Sequence, residues 1–265
     1  MCLFRPNTVQ AAYRRGRSIY PAKPHVVTTK WNDNKVVIKK VDRVYELFLL
    51  QKLKHTNIIT VIDSSMWSTG AYIVFEFAPG DLLSYMQRNR PEEVEVQCYF
   101  VQIHRAVMYI HSFSIIHADI KLDNCLLFGN NIVKLIDFGL ASVVKPGQVQ
   151  SRGCGTISYR APETFLRSYC GFANDVWALG ICLFAMLTGF FPFVRASGSD
   201  NCFKATFFKK NHSIRSIFVF YNLPFKLSED VTDLLEQVLC ECDTRLGIDS
   251  IHIHRWINLH PTLMS

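Results

Sequence analysis

Short apolar runs and longer helical stripes alternate through the first half of the chain, and one uninterrupted apolar stretch dominates the second. Val26-Val27 and Val36-Val37-Ile38 flank Asn32-Asp33-Asn34, a pattern that predicts a hairpin. Apolar residues at Val41, Val44 and Phe48, with Leu50 and Leu53 further on, predict a helix that carries Glu46. Ile58 to Asp63 and Ala71 to Phe77 read as two more strands. Between Pro91 and His111, Val96, Phe100, Ile103, Val107 and Ile110 fall on one side of a long helix, which turns that stripe towards a core. His104 and His111 on the same helix read as structural. Cys125-Leu126-Leu127 and Ile132 to Ile136 predict a second hairpin, turned by Phe128-Gly129-Asn130-Asn131. Val176 to Leu187 has no polar side, which predicts a buried helix; the run is shorter than the roughly 20 residues a bilayer requires.

The second hairpin lies inside a dense cluster of polar chemistry, from His117 to Gly139. A His-x-Asp turn (His117, Asp119) follows the long helix, Lys121 lies two residues on, and Asn124 three further. The second strand then delivers Asp137 into Asp137-Phe138-Gly139. Phosphoryl transfer needs such a set: a carboxylate to orient the attacking hydroxyl (Asp119), a cation to balance the moving phosphoryl group (Lys121), and oxygen ligands for magnesium (Asn124 and Asp137).

These two motifs, in this order, resemble the catalytic and magnesium-binding loops of eukaryotic-type protein kinases. Further resemblances fall in sequence on both sides. Val36-Val37-Ile38-Lys39 is similar to the family's Lys strand, and Glu46 to the helix Glu that pairs with that Lys. Phe75 to Leu82 resembles the hinge, with backbone groups of Glu76 and Ala78 facing adenine. Asp81 there could accept from a ribose hydroxyl or cap the following helix. Gly155-Thr156-Ile157-Ser158-Tyr159-Arg160-Ala161-Pro162-Glu163 is similar to the serine/threonine-specific activation segment, in which Thr156 bonds the catalytic Asp and Lys. Asp175 is similar to the residue that holds the catalytic-loop backbone, and Arg245 to the partner of Glu163. The resemblance implies an α+β, two-lobed kinase-like fold with a small β-rich lobe and a larger helical one. It implies ATP and Mg2+ as cofactors, with Gly16, Ser18, Val26, Val37 and Leu126 also around the nucleotide. It implies transfer of the γ-phosphoryl group to Ser or Thr of protein substrates. Residues 1–15 read as a basic extension and 16–260 as the domain, its lobes about 16–77 and 82–260.

Composition narrows the picture further. The formal charge is +7, and no acidic residue precedes Asp33, whereas Arg5, Arg14, Arg15, Arg17, Lys23 and Lys30 are basic. The simplest reading is a solvated basic edge, with no specific nucleic-acid site. Nine cysteines without metal-ligand spacing read as reduced thiols, which points to a cytoplasmic or nuclear protein. There is no signal-peptide core at the N-terminus, and a monomer is expected.

Three departures from the family pattern stand out. The Gly-rich phosphate loop, matched to Gly16 to Lys23, keeps one glycine, with Ser18 and Pro21 at positions where the family has glycine; Pro21 also lacks an amide hydrogen. Ala118 replaces the Arg that receives an activation-segment phosphate, and Val37 replaces a small Ala. The eroded, minimal core is similar to kinases of large DNA viruses. A pseudokinase serving as a protein-binding module is the alternative reading, though Lys39, Glu46, Asp119, Lys121, Asn124 and Asp137 are all present.

Overall fold

A computed structural model describes residues 6–18, 25–31, 34–67, 70–145, 147–207 and 213–259. The chain divides into two compact units, Met1–Pro79 and Gly80–Ser265.

The first unit contains helix α1 (Pro6–Arg15), strands β1 (Arg17–Ser18), β2 (Val26–Trp31) and β3 (Asn34–Val41), helix α2 (Tyr45–Lys52), and strands β4 (Val61–Trp67) and β5 (Gly70–Glu76). Among the described residues the strands form one antiparallel sheet in the order β1-β2-β3-β5-β4. Of the first predicted turn, Asn32 and Asp33 lie outside the described residues. Alternation along β3 sorts its side chains. Val36 and Ile38, with Val27, Tyr72 and Val74, form one buried layer. Lys39 belongs to the opposite face, in register with Val26 and Ile73.

Helix α1 was expected as part of a solvated basic edge, but it packs against β2, β4 and β5. Val9 and Ala12 are fully buried in the layer around Ile38, and Tyr13 packs at a tilt against Tyr72 with ring centroids 4.9 Å apart. Gln10 lies within this apolar face of three residues and Arg14 and Arg15 follow it, which masks the face in the sequence. Val9→Asp should therefore destabilise the first unit by about 1–3 kcal/mol through an unpaired buried polar group, seen as a lower urea midpoint.

The α2 prediction needs a second correction. Val41 continues β3, opposite Ala71, and the helix begins only at Tyr45. Its buried residues are Glu46, Leu47, Leu49 and Leu50, whereas Phe48 is half exposed. Glu46 bonds Lys39 from this buried side, and Phe48, two residues on, is carried about 200° round to the outside.

The second unit contains β6 (Gly80–Asp81), α3 (Leu82–Asn89), α4 (Glu93–Ser112), β7 (Ile115–Ile116), β8 (Cys125–Phe128), β9 (Ile132–Leu135), β10 (Ser142–Val143), α5 (Gly171–Thr188), α6 (Asn201–Thr206), α7 (Ile214–Phe220), α8 (Glu229–Val238) and α9 (Ile248–Ile253). All five residues of the predicted α4 stripe are buried. The second hairpin forms as β8 and β9, with Asn130 and Asn131 supplying the left-handed turn. The apolar run lies within α5, whose 18 residues are long and apolar enough to cross a membrane, yet 78% of that span is buried inside the protein. Burial of that extent identifies the central core helix, against which α4 and α8 pack. Residues 198–222, where the sequence offers no motif, contain α6 and α7, which close the far side of the core through Phe203 and Phe218.

Candidate active site

In the first unit, strand β3 and helix α2 bring together the predicted pair. Lys39 Nζ donates to both carboxylate oxygens of Glu46, at 2.8 and 2.9 Å, and both side chains are largely buried. Val26 and Val37 share the sheet face of Lys39. Glu76 accepts from the Thr60 amide at 3.2 Å, and Ala78 is half-buried beyond the end of β5.

The register of β1 corrects the phosphate-loop alignment. Arg17 and Ser18 are already paired with Thr28 and Val27, so both belong to the strand itself. Gly16 precedes the strand and closes the turn out of α1, its amide donating to Tyr13 O at 3.0 Å. A Cβ there would stand 2.5 Å from Val27 Cγ2. Gly16 is thus fixed by a close approach to β2, and Ser18 by strand pairing. Ile19 to Lys23, including Pro21, lie outside the described residues.

In the second unit the polar cluster assembles around Asp175 and Asp119. Asp175, fully buried near the start of α5, accepts from the backbone amides of His117 at 2.8 Å and Ala118 at 2.9 Å. These bonds hold Ala118 at φ +65, a conformation that costs a non-glycine residue roughly 1–2 kcal/mol. His111 Nε2 lies 3.0 Å from the same carboxylate, so the helix histidine read as merely structural helps anchor the loop. His117 accepts from the Asp119 amide through Nδ1, which leaves Nε2 to donate to Ile136 O at 3.0 Å. Complete burial depresses its pKa, consistent with this neutral tautomer. Its ring meets Phe138 edge-on at 4.9 Å, joining the loop to the turn that carries Asp137.

Asp119 collects bonds on both oxygens. Oδ1 accepts from the Thr156 amide and hydroxyl, each at 2.9 Å. Oδ2 accepts from Lys121 Nζ at 2.7 Å and Asn124 Nδ2 at 3.1 Å. Lys121 also donates to Thr156 Oγ1 at 2.7 Å, closing a three-residue ring between the loop and the activation segment. Gly155 permits this approach: its φ is +83, and a Cβ would lie 2.3 Å from Ala118 O.

Two residues test the fit to a metal ion. Asn124 commits Nδ2 to the backbone and side chain of Asp119, yet its Oδ1 is a buried acceptor with no partner among the described residues. Such an orphan is unfavourable unless something binds it. Asp137 sits at the end of β9 with φ 64 and ψ 68, just before the buried Phe138. A neutral amide oxygen and a carboxylate suit a hard divalent cation such as Mg2+.

Of the remaining expected nucleotide contacts, Leu126 lies on β8 opposite Asp81. Asp81 caps α3, accepting from Ser84 N at 2.8 Å and Ser84 Oγ at 2.9 Å. The end of the activation segment is tied down by Glu163, which receives two bonds from Arg245 at 2.5 and 3.1 Å. Ala118 packs with Ile116, Val144, Cys154 and Phe172 and offers nothing to a phosphate.

Two buried histidines make this unit acid-sensitive. His104 on α4 is fully buried with Nε2 on Ile248 O, and burial pulls its pKa down to about 4. The unfolded chain takes up a proton near pH 6.5 that the folded state refuses until about pH 4. The associated stability is present above pH 6.5 and lost as the pH falls towards 4, to the extent of about 3 kcal/mol. Urea melts at stepped pH should show this slope, and His104→Gln should flatten it.

Comparison with known proteins places this geometry. The family model for the protein kinase domain matches residues 17–257. Rat serine/threonine-protein kinase SIK1 is 34% identical over 229 residues, covering 84% of this chain and 28% of that protein. The probable serine/threonine-protein kinase MARK-B of Dictyostelium discoideum is 32% identical over 231 residues, covering 83% of the chain and 30% of the relative. The SNF1-like protein kinase ssp2 of Schizosaccharomyces pombe is 34% identical over 218 residues, 81% and 36% respectively. The chain thus spans about a third of the length of these relatives.

Proposed function

Since this chain belongs to the protein kinase domain family, we propose that it transfers the γ-phosphoryl group of ATP to serine or threonine hydroxyls of protein substrates. The observation that carries this reading is the ring of Asp119, Lys121 and Thr156 beside the orphaned Asn124 oxygen. Asp119 orients the acceptor hydroxyl and accepts its proton as the oxygen attacks. Lys121, held by Asp119 and Thr156, places its ammonium charge where negative charge develops on the transferred group. Asn124 and Asp137 would hold Mg2+, which when bound neutralises charge on the phosphates. Lys39, oriented by Glu46, is assigned to phosphate binding. Val26, Val37, Leu126 and the backbone at Glu76 and Ala78 are assigned to adenine, and Asp81 to the ribose alongside its capping role. We place the domain at residues 16–260 with α1 as its integral support, and the protein in the cytoplasm or nucleus as a monomer.

The test is incubation with labelled ATP, Mg2+ and a mixed Ser/Thr/Tyr peptide set, followed by phosphoamino-acid analysis. Label on Ser and Thr is expected; label on Tyr alone would overturn the specificity.

Activation-segment phosphorylation should be dispensable. A phosphate biases the segment only through contacts that differ between its states, and the position that faces the segment from the catalytic loop is the methyl group of Ala118. Bacterially made protein, phosphatase-treated and shown unmodified by mass spectrometry, should keep its transfer rate. Recovery of activity only on phosphorylation of Ser142, Ser151 or Ser158 would contradict this.

A further inference from the structure

The two units differ sharply in charge. Residues 1–79 contain 12 Lys and Arg against five Asp and Glu, whereas residues 80–265 contain 17 of each. The entire net charge of +7 therefore resides in the smaller unit. Within that unit the charge is again segregated. Arg14 and Arg15 are exposed in the last turn of α1, and Arg17 follows on β1, the edge strand. Arg17 pairs with Thr28, so Lys30, two residues along β2, shares its sheet face, and Lys30 stands directly opposite Lys35 on β3. Like charges facing each other across an antiparallel pair are unfavourable, and an anion beside them relieves the repulsion. Lys35 stacks over Phe77 at 3.6 Å. Among the described residues, Arg14, Arg15, Arg17 and Lys30 meet no carboxylate, and Asp63 lies on β4 at the far edge of the sheet.

We propose that this edge of the small sheet, formed by Arg14, Arg15, Arg17 and Lys30, is a docking surface for an acidic polypeptide segment in extended conformation. Three features select that partner. Among the described side chains of α1, Val9 and Ala12 are buried and Tyr13 packs at a tilt against Tyr72, so these three leave no apolar face there to enter a bilayer. Trp31 and Tyr72 are buried and Trp67 packs at a tilt against Tyr72, so these aromatic rings are not free platforms for nucleotide bases. An extended peptide can lie beside the open edge of β1, where Arg17 and, at the end of β2, Lys30 project from one face of the sheet. Arginine forks suit carboxylates at such an edge. Docking here would recruit a protein carrying an acidic tract remote from its acceptor hydroxyl.

The test uses the full chain and fluorescence anisotropy with a labelled peptide of alternating Glu and Ser. A Gln-Ser peptide, duplex DNA and phosphatidylserine vesicles serve as comparisons. The Glu peptide should bind, more tightly as salt falls, and the Gln peptide should not. Replacing Arg14, Arg15, Arg17 and Lys30 together by Ser should weaken binding on the order of tenfold or more, as four modest exposed pairs multiply. Lys at the three Arg positions should retain most of it. Circular dichroism and melting confirm that each variant is folded; should the Ser variant fail to fold, Arg14→Glu with Arg15→Glu, both exposed, takes its place. Unchanged affinity in a folded variant overturns the proposal. So does tighter binding of DNA or vesicles than of the Glu peptide, lost in the same variant.

Discussion

Asp119→Asn should lower the turnover of phosphoryl transfer by about 10²–10⁴-fold, the usual contribution of a positioned general base, while nucleotide binding changes little. The carboxylate accepts four bonds from Thr156, Lys121 and Asn124. An amide of the same shape turns one of those two acceptor oxygens into a donor, facing either the ammonium of Lys121 or the amide of Thr156. It also removes the negative charge that holds Lys121, so acceptor orientation and charge balance fail together. Turnover near wild type would mean that another group takes the proton. Stability should fall less than activity, since the surrounding loop is anchored separately through Asp175.

Arg245→Ala should be the most destabilising of the single changes considered, by about 3–5 kcal/mol, because it removes one side of a buried ion pair. The guanidinium, almost wholly buried, donates to both oxygens of Glu163 and to the carbonyls of Ala173 and Cys240, and lies 4.9 Å over the ring of Trp177. Its loss strips the Glu163 carboxylate of its counter-charge, takes a donor from the Cys240 carbonyl and opens space against the core helix. The melting transition should fall by roughly 6–20 °C for a unit of this size. Arg245→Lys should recover only part of this, since a single ammonium cannot span the Glu163 carboxylate and two carbonyls in a plane. A shift within 2 °C, a small fraction of that expected, would mean that the pair contributes little.

Where local pattern and tertiary role agreed, the sequence was readable. The α4 stripe and the β8–β9 hairpin are short-range signals, and each forms where the pattern places it. Arg245 with Glu163 and Asp175 with the His117 turn were reached through resemblance, since residues 58 or 82 positions apart carry no local sign of contact. Three misreadings share a physical origin. The buried face of α1 is three residues with two arginines after them, too little for periodicity to reveal. The phase of α2 buries Leu47, Leu49 and Leu50 together with Glu46, which bonds Lys39, and that rotation left Phe48 outside. Gly16 was matched to a phosphate loop for its residue type, whereas strand register places it one element earlier, against Val27. His111 gave no signal at all, because its partner is fixed only when α5 packs on α4.

Under the proposed function, the second unit carries the residues for magnesium-dependent phosphoryl transfer. This is tested most directly by label transfer from γ-labelled ATP to a Ser/Thr protein substrate, comparing phosphatase-treated wild-type protein with a folded Asp137→Ala variant across a magnesium titration. Magnesium-dependent label on Ser and Thr is expected from wild type and is expected to vanish in the variant, which loses one of the two side chains proposed to hold Mg2+. Equal label from both proteins, or none from a folded wild type that still binds ATP, would contradict the account; the second result would instead identify a binding module built on the same fold.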